Sequence, residues 1–172
     1  HLSSSEQRLQ NIETAEFREE ELKRELTIRS ARYVDAAQKL HDSRVAAGKR
    51  FSTAVETDLK DVALEKAKFE VRVDADQTLF AENGFDRVEF YFSANPGESP
   101  KPLAKVASGG EASRLMLILK SAARSNDEQK SAVFDEIDIG IGGRVAEAVG
   151  RKLKNLSANQ QVFCVTHQPQ IA

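Results

Sequence analysis

Between Ser5 and Leu64 the chain has no proline and a single glycine, Gly48, in a stretch dense in Glu, Lys, Arg and Ala. Such a composition admits one long helix and little else. Leu26, Tyr33, Leu40, Ala47 and Ala54 fall seven residues apart, with Leu22 and Ala36 four before Leu26 and Leu40, giving an a/d-like stripe. Arg29, Ser43 and Arg50 occupy partner positions in that stripe, and Glu19 breaks the series at its N-terminal end. The period therefore fits a coiled-coil strand and a helix lying on a globular domain equally well. The interleaved charges of FREEELKRELTIRSAR favour a mostly exposed helix. The expected division is a coiled-coil arm over residues 1–64 and a lobe over residues 65–172.

Past Leu64 the pattern switches to period two. KFEVRV sets Phe69, Val71 and Val73 against Lys68, Glu70 and Arg72, while RVEFYFS puts Val88, Phe90 and Phe92 on one face. Both predict half-buried strands, paired antiparallel. NPGESPKP, from Asn95 to Pro102, holds three of the four prolines and reads as a turn-rich connection. ASRLMLILKSAARS follows as a helix with Ala112, Leu115, Met116, Leu119 and Ala122 on one stripe. SAVFDE and QQVFCVTH read as short strands apolar on both faces, separated by a helix, GGRVAEAVGRKLKNL, that turns Val145, Val149 and Leu153 inward. Strand, helix and strand in that order predict a βαβ unit with parallel strands, hence an α/β fold.

Composition narrows the function classes. A net charge of -2 and a pI near 6.0 provide no global attraction for nucleic acid, so any DNA contact needs a local patch. Lys101, Lys105, Arg151, Lys152 and Lys154 are candidates for one, although solvated charge explains them as well. The lone cysteine, Cys164, excludes an intramolecular disulfide and fits a reducing compartment. The polar N-terminus does not resemble a signal peptide, and the longest apolar run, LMLIL, is too short to span a bilayer. The expected setting is cytoplasmic.

Three short stretches carry the chemistry. In VASGGEASR, Ser108 and Glu111 have the spacing of a capping box, yet Gly109 and Gly110 as first helical residues each cost about 0.5–1 kcal/mol of helix propensity. A helix N-terminus without side chains accounts for that cost. Backbone N–H groups and the Ser108 hydroxyl can then approach a phosphate, with the helix dipole favouring the anion. In SAVFDEIDIG an apolar strand ends at Asp135 and Glu136, at the edge where open α/β sheets place their ligands. Asp135, Glu136 and Asp138 repel one another unless a cation or a hydrogen-bond network intervenes. A phosphate-bound Mg²⁺ meets that need, with one acid near the metal and a neighbour polarising the attacking water. The blander alternative is an amphipathic edge strand alternating Ile137, Ile139 and Ile141 with acids. In CVTHQPQ, Thr166 and His167 follow a strand at the same predicted edge, where either can donate to a γ-phosphate oxygen. A lone histidine is more often structural, and only its place beside the acids lifts His167 above that reading.

Taken in order, these stretches resemble the C-terminal lobe of an ABC-type ATPase head. ASGGE is similar to the ABC signature motif, SAVFDE to the Walker B strand with its catalytic glutamate, IDIG to the D-loop and VTH to the switch-histidine loop. SANPGESPKPLAKVASGGEASR, FDEIDIGIGG and VTHQPQIA resemble more specifically the SMC-like RecN family of DNA repair proteins, and the likeness extends back to about Leu40. An ABC transporter domain is less similar, because its Walker B is typically followed by a proline and a Ser-Ala-Leu-Asp type D-loop.

The resemblance implies ATP and Mg²⁺ as ligands. Asp135 would hold Mg²⁺ through water, Glu136 would orient and deprotonate the attacking water, and His167 would contact the γ-phosphate. Ser108, Gly109, Gly110 and Glu111 would form the signature site for ATP held by an opposing head, and Asp138 would link the two sites at the dimer seam. The implied partners are the chain's own N-terminal P-loop lobe, a second copy joined through ATP-sandwiched heads, and DNA, with no membrane. The implied setting is the bacterial cytoplasm, associated with the nucleoid. One departure stands out: there is no GxxxxGK[ST], and AAGKR around Gly48 and Lys49 lacks the first glycine and the hydroxyl residue. The sequence is therefore expected to be the C-terminal part of a longer chain and inactive alone. A non-catalytic coiled-coil interaction or DNA-binding module is the alternative, favoured by the same missing motif.

Overall fold

The computed structural model of the chain describes residues 2–106, 109–123 and 131–172. Its elements are α1 (Leu2–Leu59), a 3-10 turn (Lys60–Val62), β1 (Lys68–Ala75), β2 (Asp86–Ser93), β3 (Lys101–Pro102), a second 3-10 turn (Leu103–Lys105), α2 (Gly110–Ala122), β4 (Ser131–Phe134), α3 (Gly143–Ser157) and β5 (Gln161–Cys164). They form two compact units, one of His1–Ser43 with Ala75–Asp86, the other of Arg44–Asp74 with Arg87–Ala172.

In the first unit the segment between β1 and β2 folds onto α1. The Tyr33 hydroxyl donates to the Leu79 carbonyl (3.2 Å) and accepts from the Ala81 N–H (3.1 Å), and the Tyr33 ring stacks on Phe80 at 4.9 Å. His41 Nδ1 lies 2.6 Å from Asp86 Oδ1, and Phe85 is buried nearby. Along the same helix Phe17, Leu22, Leu26 and Ile28 are exposed.

In the second unit α1 ends earlier than the composition predicts. The chain tightens into a 3-10 turn after Leu59, and Ala63 adopts the left-handed conformation (φ 60°) while the Leu64 N–H bonds back to the Leu59 carbonyl at 3.0 Å. This Schellman-type closure satisfies a terminal carbonyl and stops the helix. The last turns of α1 also cover a strand: Ser52 Oγ accepts from the Val71 N–H and Glu56 Oε1 from the Phe69 N–H, each at 3.1 Å. Backbone donors of β1 thus find side-chain partners on the helix.

Strands β1, β2 and β3 form one sheet in that order, with β2 and β3 antiparallel and Phe92 opposite Lys101. Phe69 and Phe92 are buried as the alternation predicts, but Val88 and Phe90 are exposed. Phe51 of α1 covers only part of that face, reaching Phe90 at 6.1 Å between ring centres. The βαβ expectation holds: β4 and β5 pair in parallel, Ser131 opposite Gln161 and Phe134 opposite Cys164, with α3 between them in sequence. Burial on both faces does not. Ala132 and Phe134 face the core, whereas Val133, Phe163 and Val165 are exposed.

The helix α2 is rotated from the expected stripe. Leu115 and Leu119 are buried, but so are Gly110, Arg114, Leu117 and Ile118, and Met116 is exposed. At ~100° per residue, the buried arc has turned by about one residue toward Gly110 and Arg114. The cause is docking of the first turns of α2 onto the loop after β4, described below. The core of this unit gathers Val55, Leu59, Phe69, Leu115, Ile118, Phe134, Ile137 and Val149. In α3, Val149 and Leu153 point inward as expected, while Val145 is only half-buried. Among the described residues no helix is long and apolar enough to cross a membrane.

Candidate functional site

The parallel register places Asp135 directly after β4 and Thr166–His167 shortly after β5, so the two motif loops leave the same edge of the strand pair. The Val165 N–H still bonds to the Phe134 carbonyl at 2.9 Å, extending the pairing to the point where the loops begin. Asp135 and Glu136 are both exposed. Asp135 Oδ1 accepts from the Glu136 N–H at 2.9 Å, and Glu136 adopts φ 57°. A non-glycine residue held in the left-handed region costs about 1 kcal/mol or more and persists only where surrounding structure fixes it.

That surrounding structure is α2. Its N-cap is Gly109, at φ 152° and ψ -178°, a conformation essentially reserved for glycine. Among the described residues no side chain caps the helix, and a Cβ on Gly109 would meet none of them within 4 Å. Ser108, expected to cap this helix and to help bind a phosphate, lies outside the described residues. Gly110 has a different reason to be glycine: a Cβ there would lie 2.9 Å from the Glu136 carbonyl oxygen and 3.1 Å from that of Ile139. The sequence reading gave both glycines to phosphate access. Gly109 is required by its backbone conformation, whereas Gly110 is needed for close packing against the acidic loop. Glu111, on the outer side of the first turn, is exposed.

Two residues that the sequence reading passed over complete the contact. Ser113 Oγ donates to the Asp135 carbonyl at 2.7 Å, and the buried Arg114 guanidinium donates through one nitrogen to the carbonyls of Ile139 (3.0 Å) and Ile137 (3.3 Å). Burial pushes the Arg114 pKa down, with Glu111 opposing. A signal was available: Ser113 and Arg114 lie three and four residues after Gly110, so they share its helix face.

Asp138 is turned into its own lobe. It is only 7% exposed, and its Oδ2 accepts from the Thr166 hydroxyl at 2.7 Å and the His167 N–H at 2.6 Å. The Thr166 bond first, then the His167 bond, hold the Asp138 carboxyl below the usual carboxylate range, against the opposing effect of burial. The network answers the crowding of three carboxylates for Asp138, while Asp135 and Glu136 remain open to solvent. It also corrects the reading of Thr166 as a phosphate donor, because that hydroxyl is engaged by Asp138. Gln168 ties the loops again, donating from Nε2 to the Ile141 carbonyl at 3.3 Å and from its backbone to Thr166 Oγ1 at 3.0 Å. The His167 side chain is exposed at this edge.

Chemically, the site pairs a helix N-terminus that begins at glycine with two solvent-facing carboxylates and an exposed imidazole. Comparison with known proteins shows which family uses such a sequence. The chain is 37% identical over 166 residues to the DNA repair protein RecN of Vibrio cholerae, covering 96% of this chain and 30% of that protein. It is 40% identical over 176 residues to RecN of Halalkalibacterium halodurans, covering 100% and 31% respectively. The chain belongs to the RecN family. A further RecN, from Rickettsia bellii, is 44% identical over 143 residues, covering 83% of this chain and 26% of its own. This RecN-family chain spans about 30% of the length of the curated relatives it matches. No family model matches it. Among solved structures, the Smc head domain with a coiled coil and joint from Pyrococcus yayanosii is similar in fold at a TM-score of 0.50, 16% identical and covering 75% of this chain and 23% of that one. The architecture is accordingly that of the C-terminal lobe of an SMC-type head with a long N-terminal helix.

Proposed function

We propose that this chain is the C-terminal half of an SMC-like ATPase of the RecN type, which binds and hydrolyses ATP between dimerised heads during DNA double-strand-break repair and recombination. The observation that carries the reading is the convergence of the Gly109 turn, the exposed Asp135–Glu136 pair and His167 on loops joined by hydrogen bonds. In this reading Glu136 takes the proton of the attacking water and His167 donates to the γ-phosphate. Ser108, Gly109 and Gly110, with Glu111 behind them, receive the γ-phosphate of ATP bound to a second head. Asp135 is the metal-side acid. Among the described residues no cluster of three His, Cys, Asp or Glu side chains could hold a metal by itself, which fits a Mg²⁺ that keeps phosphate and water ligands and takes one carboxylate. Such an ion would neutralise charge developing on the phosphates.

The division into a coiled-coil arm, residues 1–64, and a head lobe, residues 65–172, belongs to the same proposal. The exposed Phe17, Leu22, Leu26 and Ile28 supply apolar surface for a second strand of the arm. The bare outer face of β4 and β5, with Val133, Phe163 and Val165, supports a covering P-loop lobe. The setting proposed is the bacterial cytoplasm, on DNA, with an ATP-joined homodimer as the working form.

The test mixes this chain with a separately expressed P-loop lobe of its own protein and measures ATP turnover. Turnover that needs both pieces and falls about 10²-fold or more with Glu136→Gln supports a split site with a general base. Turnover indifferent to Glu136→Gln removes the assignment. Pieces that associate yet stay silent favour a non-catalytic interaction module.

A further inference from the structure

Arg114 is an expensive residue for its position. It is 5% exposed, its pairing is to backbone carbonyls, and its Nε is buried with no hydrogen-bond partner among the described residues. A buried cation with an unsatisfied donor is a poor source of stability. What the guanidinium does supply is geometry. One of its nitrogens grips the carbonyls of Ile137 and Ile139, one and three residues after Glu136, from a helix whose first residue has no room for a Cβ beside the Glu136 carbonyl. Ser113 fixes the other side of the same loop through the Asp135 carbonyl. Glu136, between these anchors, is held at a φ that it would not otherwise favour.

We propose that Arg114 is a positioning residue that locks the Glu136 loop to the first turns of α2. The helix end that would receive the opposing head's phosphate and the carboxylate that would activate water on its own head then move as one piece. Occupation of the first biases the second without a contact between Glu136 and the distant nucleotide. The inference rests on the ATPase reading above and adds to it a route, internal to one lobe, by which one composite site informs the other.

The test is a double-mutant cycle on steady-state ATP hydrolysis by the full-length protein. Arg114→Met is expected to lower kcat roughly 10- to 50-fold with KM for ATP within about two-fold, because a small misplacement of the reacting group is enough for such a loss. Arg114→Lys, which keeps one donor, should recover a substantial part. The deciding readout is the Glu136→Gln background. There Arg114→Met should reduce the residual turnover by less than about two-fold, since residues acting through one group are not additive. An equal fold-loss in both backgrounds would mean that Arg114 acts independently of Glu136, and the inference fails while the ATPase reading stands. If Glu136→Gln itself leaves turnover at the parental rate, the reading falls and the inference falls with it. Should Arg114→Met not fold, judged by its thermal melt, Ser113→Ala runs the same cycle, with a smaller loss that must again vanish beside Glu136→Gln.

Discussion

On the inner face of β4, Ala132 and Phe134 are each 3% exposed; one residue along, Val133 is 70% exposed, and across the pair Phe163 and Val165 stand at 50% and 56%. Both faces are built of the same kinds of residue, so hydrophobicity does not distinguish them. Cover does: α2 and α3 supply neighbours for one side, and the described residues supply none comparable for the other. Strands of a parallel sheet that lack a covered face are unusual, because crossover connections ordinarily leave layers on both sides. The asymmetry therefore separates what this chain buries by itself from the face that the proposed function assigns to a P-loop lobe.

The largest expected effect tests the inner face. Phe134→Ala should destabilise the chain by about 3–5 kcal/mol, through lost transfer energy and the cavity left in the core. Urea denaturation of the two proteins measures it. A loss below about 1 kcal/mol would mean that the inner layer is not the core assigned to it, and the contrast between faces would dissolve.

A second test moves to the edge where the strands end and contrasts inward Asp138 with outward Asp135 and Glu136. Asp138→Asn removes a charge that accepts two hydrogen bonds, at a cost of about 2 kcal/mol near neutral pH. The pH dependence carries a sign. The folded-state pKa of Asp138 is depressed, so its contribution is fully present above the unfolded value of about 3.9 and is lost as pH falls through the lower folded value. The stability gap between parent and variant should thus be flat from pH 7 to about pH 5 and close below about pH 4. A gap that widens on acidification would contradict the Thr166 and His167 bonds as its cause.

Period and order make much of this architecture legible in the sequence. The long helix, the switch to period two and the parallel βαβ unit follow from where apolar residues recur and where prolines and glycines fall. What escaped were features of tertiary origin. The stripe of α2 was read from its leucines and Met116, but the helix is rotated to bury Gly110 and Arg114 against a loop that is distant in sequence. An arginine on an apolar face looks like an interruption until two carbonyls are seen to need it. The end of α1 was missed for a local reason, since Ala63 occupies a left-handed position that sequence ordinarily marks with glycine. Type and spacing single out the acids and histidine, which the structure sets at one edge of the strand pair, whereas the hydrogen bonds of Thr166 and Ser113 depend on which loops meet. Spacing along one chain does not encode that.

The smallest expected effect is the most informative about the outer face. Phe163→Ser removes a large apolar side chain from a position already half in water, opposite Val133 in the strand register. An exposed substitution away from the core changes stability by about 0.5 kcal/mol or less, so the urea midpoint of the isolated chain should hardly move. Association with a P-loop lobe should behave differently. If that lobe covers β4 and β5, the half of the ring still in water is desolvated in the complex, and its loss should weaken the association by about 0.8–1.5 kcal/mol, roughly four- to twelve-fold in Kd. Titration calorimetry on the parent and variant reads the two quantities separately. A variant that melts early yet binds normally would place Phe163 in this chain's own core after all, whereas one that is stable and binds poorly assigns the bare face to the partner.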